Sequence, residues 1–407
     1  MSEPIIKIIN SGYIWAPLAL TGKNYSPKNN LLLEIEEGLI VSMQHFPESK
    51  LSELQSAGKP LYCLSRGTAL IPALIDAHVH LALDGCRSDF LSASSGHAES
   101  KQGLININLK ASLAAGIGSL RDGGDSERIN LHLGKKGEQG NTLKPQVVAT
   151  GEALRRHNNY GIFLGSGYSA PEQIEPLIDS LLYEGIDQIK VIASGIVSFE
   201  KYGSVSGLPP DNEELAFIVE NAHRRKLKVM AHASSDNAVK IAVQAGVDSI
   251  EHGYFVSIET LKVMAEKDVA WVPTVIPVAV HAAGNLSKKH REKQGDLITS
   301  IYQEHLEKIA LAPSLGVRLG VGTDAGAPGV RHGLDLINEM LLYSYSSLSN
   351  RLILQAATKT NAGIIGLENK VGLLDLGYEA RLIAVCGNPL DDLSILKNIK
   401  VHFLPGQ

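Results

Sequence analysis

From Thr68 onward the chain repeats one unit, a short apolar run that reads as a buried strand followed by a helical stretch. The strand-like runs cover residues 73–83, 119–122, 146–150, 188–193, 228–233, 249–252, 270–275 and 318–323. Helical periodicity fills most of the gaps, as over 212–225 and 236–245. Apolar strands alternating with helices predict parallel βαβ units, because a parallel strand is covered by helices on both faces. Eight such strands predict an α/β fold of the (β/α)8 TIM-barrel type, with an open doubly wound sheet as the fallback.

The two ends of the chain lack this rhythm. Lys7-Ile8-Ile9 and residues 31–35 are strand-like, Glu37-Gly38 is a turn signal, and 39–43 reads as the return strand. Beyond Asn361 a turn-rich stretch over 366–377 precedes strand candidates at 380–385 and 401–404. Segments 1–69 and 366–407 are therefore expected to form one small β-sandwich domain beside a barrel spanning 70–365. A length of 407 residues accommodates both.

The formal net charge of −5 gives no reason to expect nucleic acid or a membrane surface as partner. No run of 18 apolar residues predicts a membrane span. Lys7 and Asn10 interrupt the apolar N-terminus, which reads as a first strand pair and not as a secretion signal. Cys63, Cys86 and Cys386 are odd in number and widely spaced. They suggest neither a thiolate metal site nor a disulfide framework, so a reducing, cytoplasmic setting is expected.

Histidine carries the chemistry. His78 and His80 stand two apart on the first barrel strand, so both rings face the same way. His232 ends the fifth strand, His252 the sixth and Asp324 the eighth, at the end of a barrel where catalytic groups gather. Alone, each has an ordinary explanation: a core histidine, or an Asp capping the next segment. Lys190 lies within the apolar run IKVIAS, and a buried lysine needs a partner or a modification. Six such residues at matching depth point to divalent cations, and zinc suits the imidazole donors best.

The motifs PALIDAHVH, IKV, HAS, EHG and GTDAG, in this order over residues 70–361, resemble those of the amidohydrolase superfamily. LRDGGD, AGVDSIEHG, GTDAGAPGVRHGL and GNPLDDL resemble its imidazolonepropionase-like and Xaa-Pro/Xaa-Arg dipeptidase branch. The resemblance implies two divalent metal ions, most simply Zn2+, bridged by a carbamate on Lys190. One ion would take His78, His80 and Asp324, and the other His232 and His252. A hydroxide shared by the ions would attack the carbonyl, and Asp324 would carry its proton to the leaving nitrogen. The chain departs from the branch at Ala73 (usually Gly), at Ser234 (often a second His), and in the loop TGEALRRHNNYGIFLG.

These readings imply hydrolysis of a C–N bond in a small molecule such as a dipeptide, an N-acyl amino acid or a cyclic amide. Candidate substrate contacts are His157 and Arg155 in the loop after the third strand, Tyr254 beside His252, and His332 after the eighth strand. The alternatives are a solvated basic loop for His157, a solvent-facing role for Arg155, core packing for Tyr254, and for His332 a place on the rim or behind it. A deaminase on the same barrel would bind one ion and leave Lys190 unused. An esterase, lactonase or phosphotriesterase would use the same attack. A non-catalytic assembly protein of this fold would have lost ligands that are present here. Barrels of this kind often associate, so a homo-oligomer is expected by analogy.

Overall fold

The computed structural model describes residues 3–55, 58–85, 98–132, 143–207, 211–282 and 288–406; Cys86 lies outside them. Its strands are β1 (Ile5–Ile8), β2 (Gly12–Thr21), β3 (Ser26–Glu36), β4 (Leu39–His45), β5 (Leu61–Cys63), β6 (Thr68–Pro72), β7 (Leu74–Val79), β8 (Ile117–Asp122), β9 (Gln146–Ala149), β10 (Ala153–Leu154), β11 (Gln188–Ile192), β12 (Lys228–Ala233), β13 (Ser249–His252), β14 (Ala270–Val272), β15 (Leu382–Cys386) and β16 (Ile399–Leu404). The longer helices are α1 (Ala98–Ala114), α2 (Ile174–Glu184), α3 (Asn212–Arg224), α4 (Asp236–Ala245), α5 (Ile258–Glu266), α6 (Lys288–Leu311) and α7 (Leu334–Ser344).

Both chain ends enter one eight-stranded sheet, in the order β1-β16-β15-β6-β2-β3-β4 with β5 on β2. The turn expected at Glu37-Gly38 joins β3 to β4, and both of its residues have positive φ (51° and 76°). That is the twist a two-residue hairpin needs. The sheet is mixed and not purely antiparallel, because β1 runs parallel to β16 and β2 parallel to β5 and β6. The rhythm change read at Thr68 falls later in space. β6 still pairs with β15, and the parallel units begin at Leu74.

The βα region contains two parallel sheets, β7-β8-β9 and β10-β11-β12-β13-β14. Their strands are buried along almost every residue, as strands covered by helices must be. Seven of the eight expected strands form ladders. The eighth, over 318–323, does not, and makes isolated bridges at Leu319 and Ala325 instead. Its backbone still bonds both neighbours: Trp271 N donates to Arg318 O (2.9 Å), Ala77 N to Val321 O (3.1 Å), and Asp324 N to His78 O (2.8 Å). The reason is local. A Cβ at Gly322 would stand 2.6 Å from Val272 Cγ1 and 2.9 Å from His78 Cβ, so only glycine permits this approach.

Helices start and stop where the sequence provides caps. The Asp211 side chain accepts from Glu213 N (2.7 Å) and Glu214 N (3.2 Å) at the head of α3. Ser235 caps α4, which ends on Gly246 in the left-handed region. α3 buries Leu215, Ile218, Val219 and Ala222, a stripe at helical spacing.

Candidate active site and metal centre

The strands end in a common pocket of about 770 Å3, counted to its open mouth. His80, His232, His252 and Asp324 form its floor, and Tyr160, Phe163, Ile196, Phe199, Tyr254 and Val278 stand among its walls. All six residues singled out as ligands meet here. The ring centroids of His78 and His80 are 5.3 Å apart, those of His78 and His252 5.1 Å, and those of His232 and His252 4.4 Å. Lys190 Nζ lies 3.2 Å from His78 Nε2. Asp324 Oδ1 lies 3.5 Å from His78 Nε2 and 3.4 Å from His80 Nε2.

The donor set fits a divalent ion. One donor atom each from His78, His80 and Asp324 falls within 4.8 Å of the others. The second ring nitrogen of each histidine is already engaged, and that fixes which atom faces the site. His78 Nδ1 meets Glu251 Oε2 at 2.8 Å, and His80 Nδ1 meets Gly124 O at 3.3 Å. His252 Nδ1 is 2.6 Å from Thr274 Oγ1, whose own proton goes to Pro273 O, so the threonine accepts from the imidazole. These three rings turn Nε2 towards the site, where His78 Nε2 meets Lys190 and Asp324 and His80 Nε2 meets Asp324. His232 is turned the other way: its Nε2 donates to Gly195 O (3.1 Å), and Nδ1 remains.

Burial sets the charge states. It pushes the four site histidines well below their ordinary value, reinforced by nearby Lys190 and, for His78, His80 and His252, by neighbouring histidines, so all are neutral donors. It pushes Lys190 down and Asp324 up, and their mutual attraction opposes both shifts. The backbone is strained at the same place. His252 at the end of β13, Thr274 just past β14 and Asp324 after the 318–323 segment have φ of 69°, 50° and 57°.

Several residues that pattern reading passed over hold this arrangement. Glu251 is fully buried between His78 and Arg121, whose Nη2 donates to Glu251 Oε1 at 2.7 Å. Arg121 also donates to Ala77 O (2.6 Å), Gln188 Oε1 (3.3 Å) and Ser249 Oγ (3.1 Å). Asp76 accepts from Thr323 N (3.1 Å), Thr323 Oγ1 (2.8 Å) and His78 N (3.2 Å), fastening the Asp324 segment to β7. The available signal was charge inside apolar runs, Glu251 in SIEH and Arg121 in LRDGGD.

The substrate-contact candidates separate. Tyr254 lines the pocket, its ring stacked on His252 at 5.7 Å and its hydroxyl donating to Thr274 O (2.9 Å). His157 is exposed and does not line the pocket. Arg155 is buried, and its guanidinium is taken up by the carbonyls of Gly165, Arg156, Asn159 and Ser166. His332 is buried away from the lining, with Nε2 donating to Leu83 O (3.3 Å). From the same loop as His157, it is Tyr160 that reaches the pocket.

Nitrogen and oxygen donors gathered at the ends of parallel strands fit a hydrolase of the amidohydrolase kind. The chain belongs to the amidohydrolase family, whose sequence model matches residues 69–404. It is similar to the ochratoxinase of Aspergillus niger, 27% identical over 418 aligned positions that cover 95% of this chain and 83% of the relative. In fold it is similar to a Xaa-Pro dipeptidase crystallised with methionine in its active site (TM-score 0.82, 24% identity, 98% and 99% of the two chains). The A. niger ochratoxinase structure is similar to the same degree (TM-score 0.82, 22% identity, 98% and 95%).

Proposed function

We propose that this protein is a metal-dependent hydrolase that cleaves a C–N bond, amide or peptide-like, in a small molecule carrying a bulky apolar group. The carrying observation is the convergence of His78, His80 and Asp324 donor atoms within 4.8 Å, beside Lys190, His232 and His252. In this reading the βα region closes into a (β/α)8 barrel over 70–365, and segments 1–69 and 366–407 form the small domain. His78, His80 and Asp324 would hold one ion, His232 and His252 a second, with Lys190 carboxylated between them. Zinc is the metal that suits the imidazoles. When bound, such ions supply Lewis acidity and lower the pKa of the attacking water.

The chain's own residues do the rest. Asp324, held at the pocket floor by the bond from its N–H to His78 O and by the neighbouring bond from His80 N to Ala325 O, is placed to take a proton from water and return it to the leaving nitrogen. Phe163, Leu164, Ile196, Val197, Phe199 and Val278 favour an apolar substituent and exclude bulk water from the reacting atoms. Relatives named for a dipeptidase and for ochratoxinase fit an amide substrate.

The test combines elemental analysis with a substrate screen. The expected result is two divalent ions per chain, turnover of dipeptides, N-acyl amino acids or cyclic amides with apolar side chains, and loss of both metal and turnover in His78→Ala. One ion per chain with release of ammonia from an amine substrate would instead establish a deaminase. Activity confined to esters would overturn the amide assignment.

A further inference from the structure

The pocket wall carries a hydroxyl with nothing to donate to. Tyr160 stands beside His80, His232, His252 and Asp324, with its ring 5.5 Å from that of His232 and edge-on to Phe163 at 5.7 Å. Among the described residues its phenol has no hydrogen-bond partner, whereas Tyr254 across the pocket is satisfied by Thr274 O. Tyr160 is half-buried in the pocket wall, so its O–H has only pocket water to donate to until a ligand brings an acceptor into the pocket.

The loop that presents Tyr160 is built to hold still. Arg155 donates to the carbonyls of Arg156 (3.1 Å) and Asn159 (2.9 Å) on one arm and Gly165 (2.7 Å) on the other. Leu164 N closes back on Gly161 O (2.8 Å), and Asn158 and Gly161, on either side of Tyr160, take positive φ of 66° and 93°. A donor fixed before the substrate arrives needs no reorganisation when charge develops, which is what makes such donors effective.

We propose, resting on the amide-hydrolase reading above, that Tyr160 is a catalytic residue whose O–H donates to the scissile carbonyl oxygen and steadies it as it becomes an oxyanion. The bond from water oxygen to carbonyl carbon forms, the C–N bond breaks, and the phenol keeps its proton throughout.

The test compares wild type with Tyr160→Phe, which keeps the ring and its contacts with His232 and Phe163. Expected is a fall in kcat of about 100-fold with KM changed by less than about threefold. Calorimetric affinity for an N-methylphosphonyl derivative of an apolar amino acid, a tetrahedral mimic, should fall in step, while product affinity, metal content and melting temperature stay as in wild type. Unchanged kcat and phosphonate affinity, or equal losses for phosphonate and product, would mark Tyr160 as a wall residue and leave the hydrolase reading standing. A wild type that neither cleaves any amide nor binds the phosphonate would remove both.

Discussion

The residue that best shows how this site is organised is Glu251, which does not itself line the pocket. Its two oxygens are divided between His78 Nδ1 and the Arg121 guanidinium, and all three side chains are essentially without solvent. Breaking one arm of such a buried pair strands the other charge, a loss of roughly 3–5 kcal/mol. Glu251→Gln is therefore expected to lower stability by that order in denaturant titration. It should also weaken metal binding about 10- to 100-fold, because His78 loses the group that orients it. Replacing Arg121 by Met in the same chain should restore much of the stability and none of the metal affinity. Equal metal affinity in wild type and Glu251→Gln would mean that packing alone orients His78.

Among the elements, the seam between β7 and the segment over 318–325 stands apart, since scattered backbone bonds and an isolated bridge hold it in place of a regular ladder, and a side chain reinforces them. Asn361 Nδ2 donates to Ile75 O (2.6 Å) and Val321 O (2.7 Å), and its Oδ1 accepts from Val321 N (3.0 Å). One buried amide thus joins the strand bearing His78 and His80 to the segment bearing Asp324. Asn361→Ala would strip its bonds from Val321 N and Ile75 O, while Val321 O keeps the bond from Ala77 N (3.1 Å); each buried group left without a partner costs about 1–3 kcal/mol. The expected outcome is several kcal/mol lost in thermal or denaturant unfolding, with proteolysis opening first near residues 318–325. A loss under about 1 kcal/mol would show that water replaces the amide and that the seam is held elsewhere.

Across the whole molecule, two histidines outside the pocket lining, His305 behind Tyr254 and His402 in the mixed sheet, add to how the fold responds to acid. His305 on α6 and His402 on β16 are fully buried, with one ring nitrogen each on a backbone carbonyl (Pro273 O at 3.0 Å, Leu113 O at 3.0 Å). Burial lowers their pKa from 6.5 to about 3 and about 4. Since the folded state binds fewer protons than the unfolded one, their full contribution is present above pH 6.5 and declines as pH falls towards 4. Each adds a slope of about 1.4 kcal/mol per pH unit in that window. His402→Asn retains a donor for Leu113 O and cannot ionise. It should flatten the pH dependence of unfolding free energy by one such slope between pH 6 and 4.5, and an unchanged slope would show that His402 is already charged in the fold.

The sequence by itself determined the alternation of parallel strands and helices, the pairing of the chain's two ends in one sheet, and the six side chains gathered at the strand tips. Those features follow from periodicities of two and 3.6 and from charged or imidazole groups lodged in apolar runs, all of which are local in the chain. Only the tertiary structure decided which nitrogen of each histidine faces the pocket, because that depends on partners as remote as Glu251, Gly124, Thr274 and Gly195. It also decided that Arg155 serves its own loop while Tyr160 enters the pocket, and that Gly322 and Asn361 replace a regular eighth ladder. The physical reason is common to all of these. Close approach and hydrogen-bond direction are properties of atoms brought together from distant parts of the chain, and no local pattern encodes them.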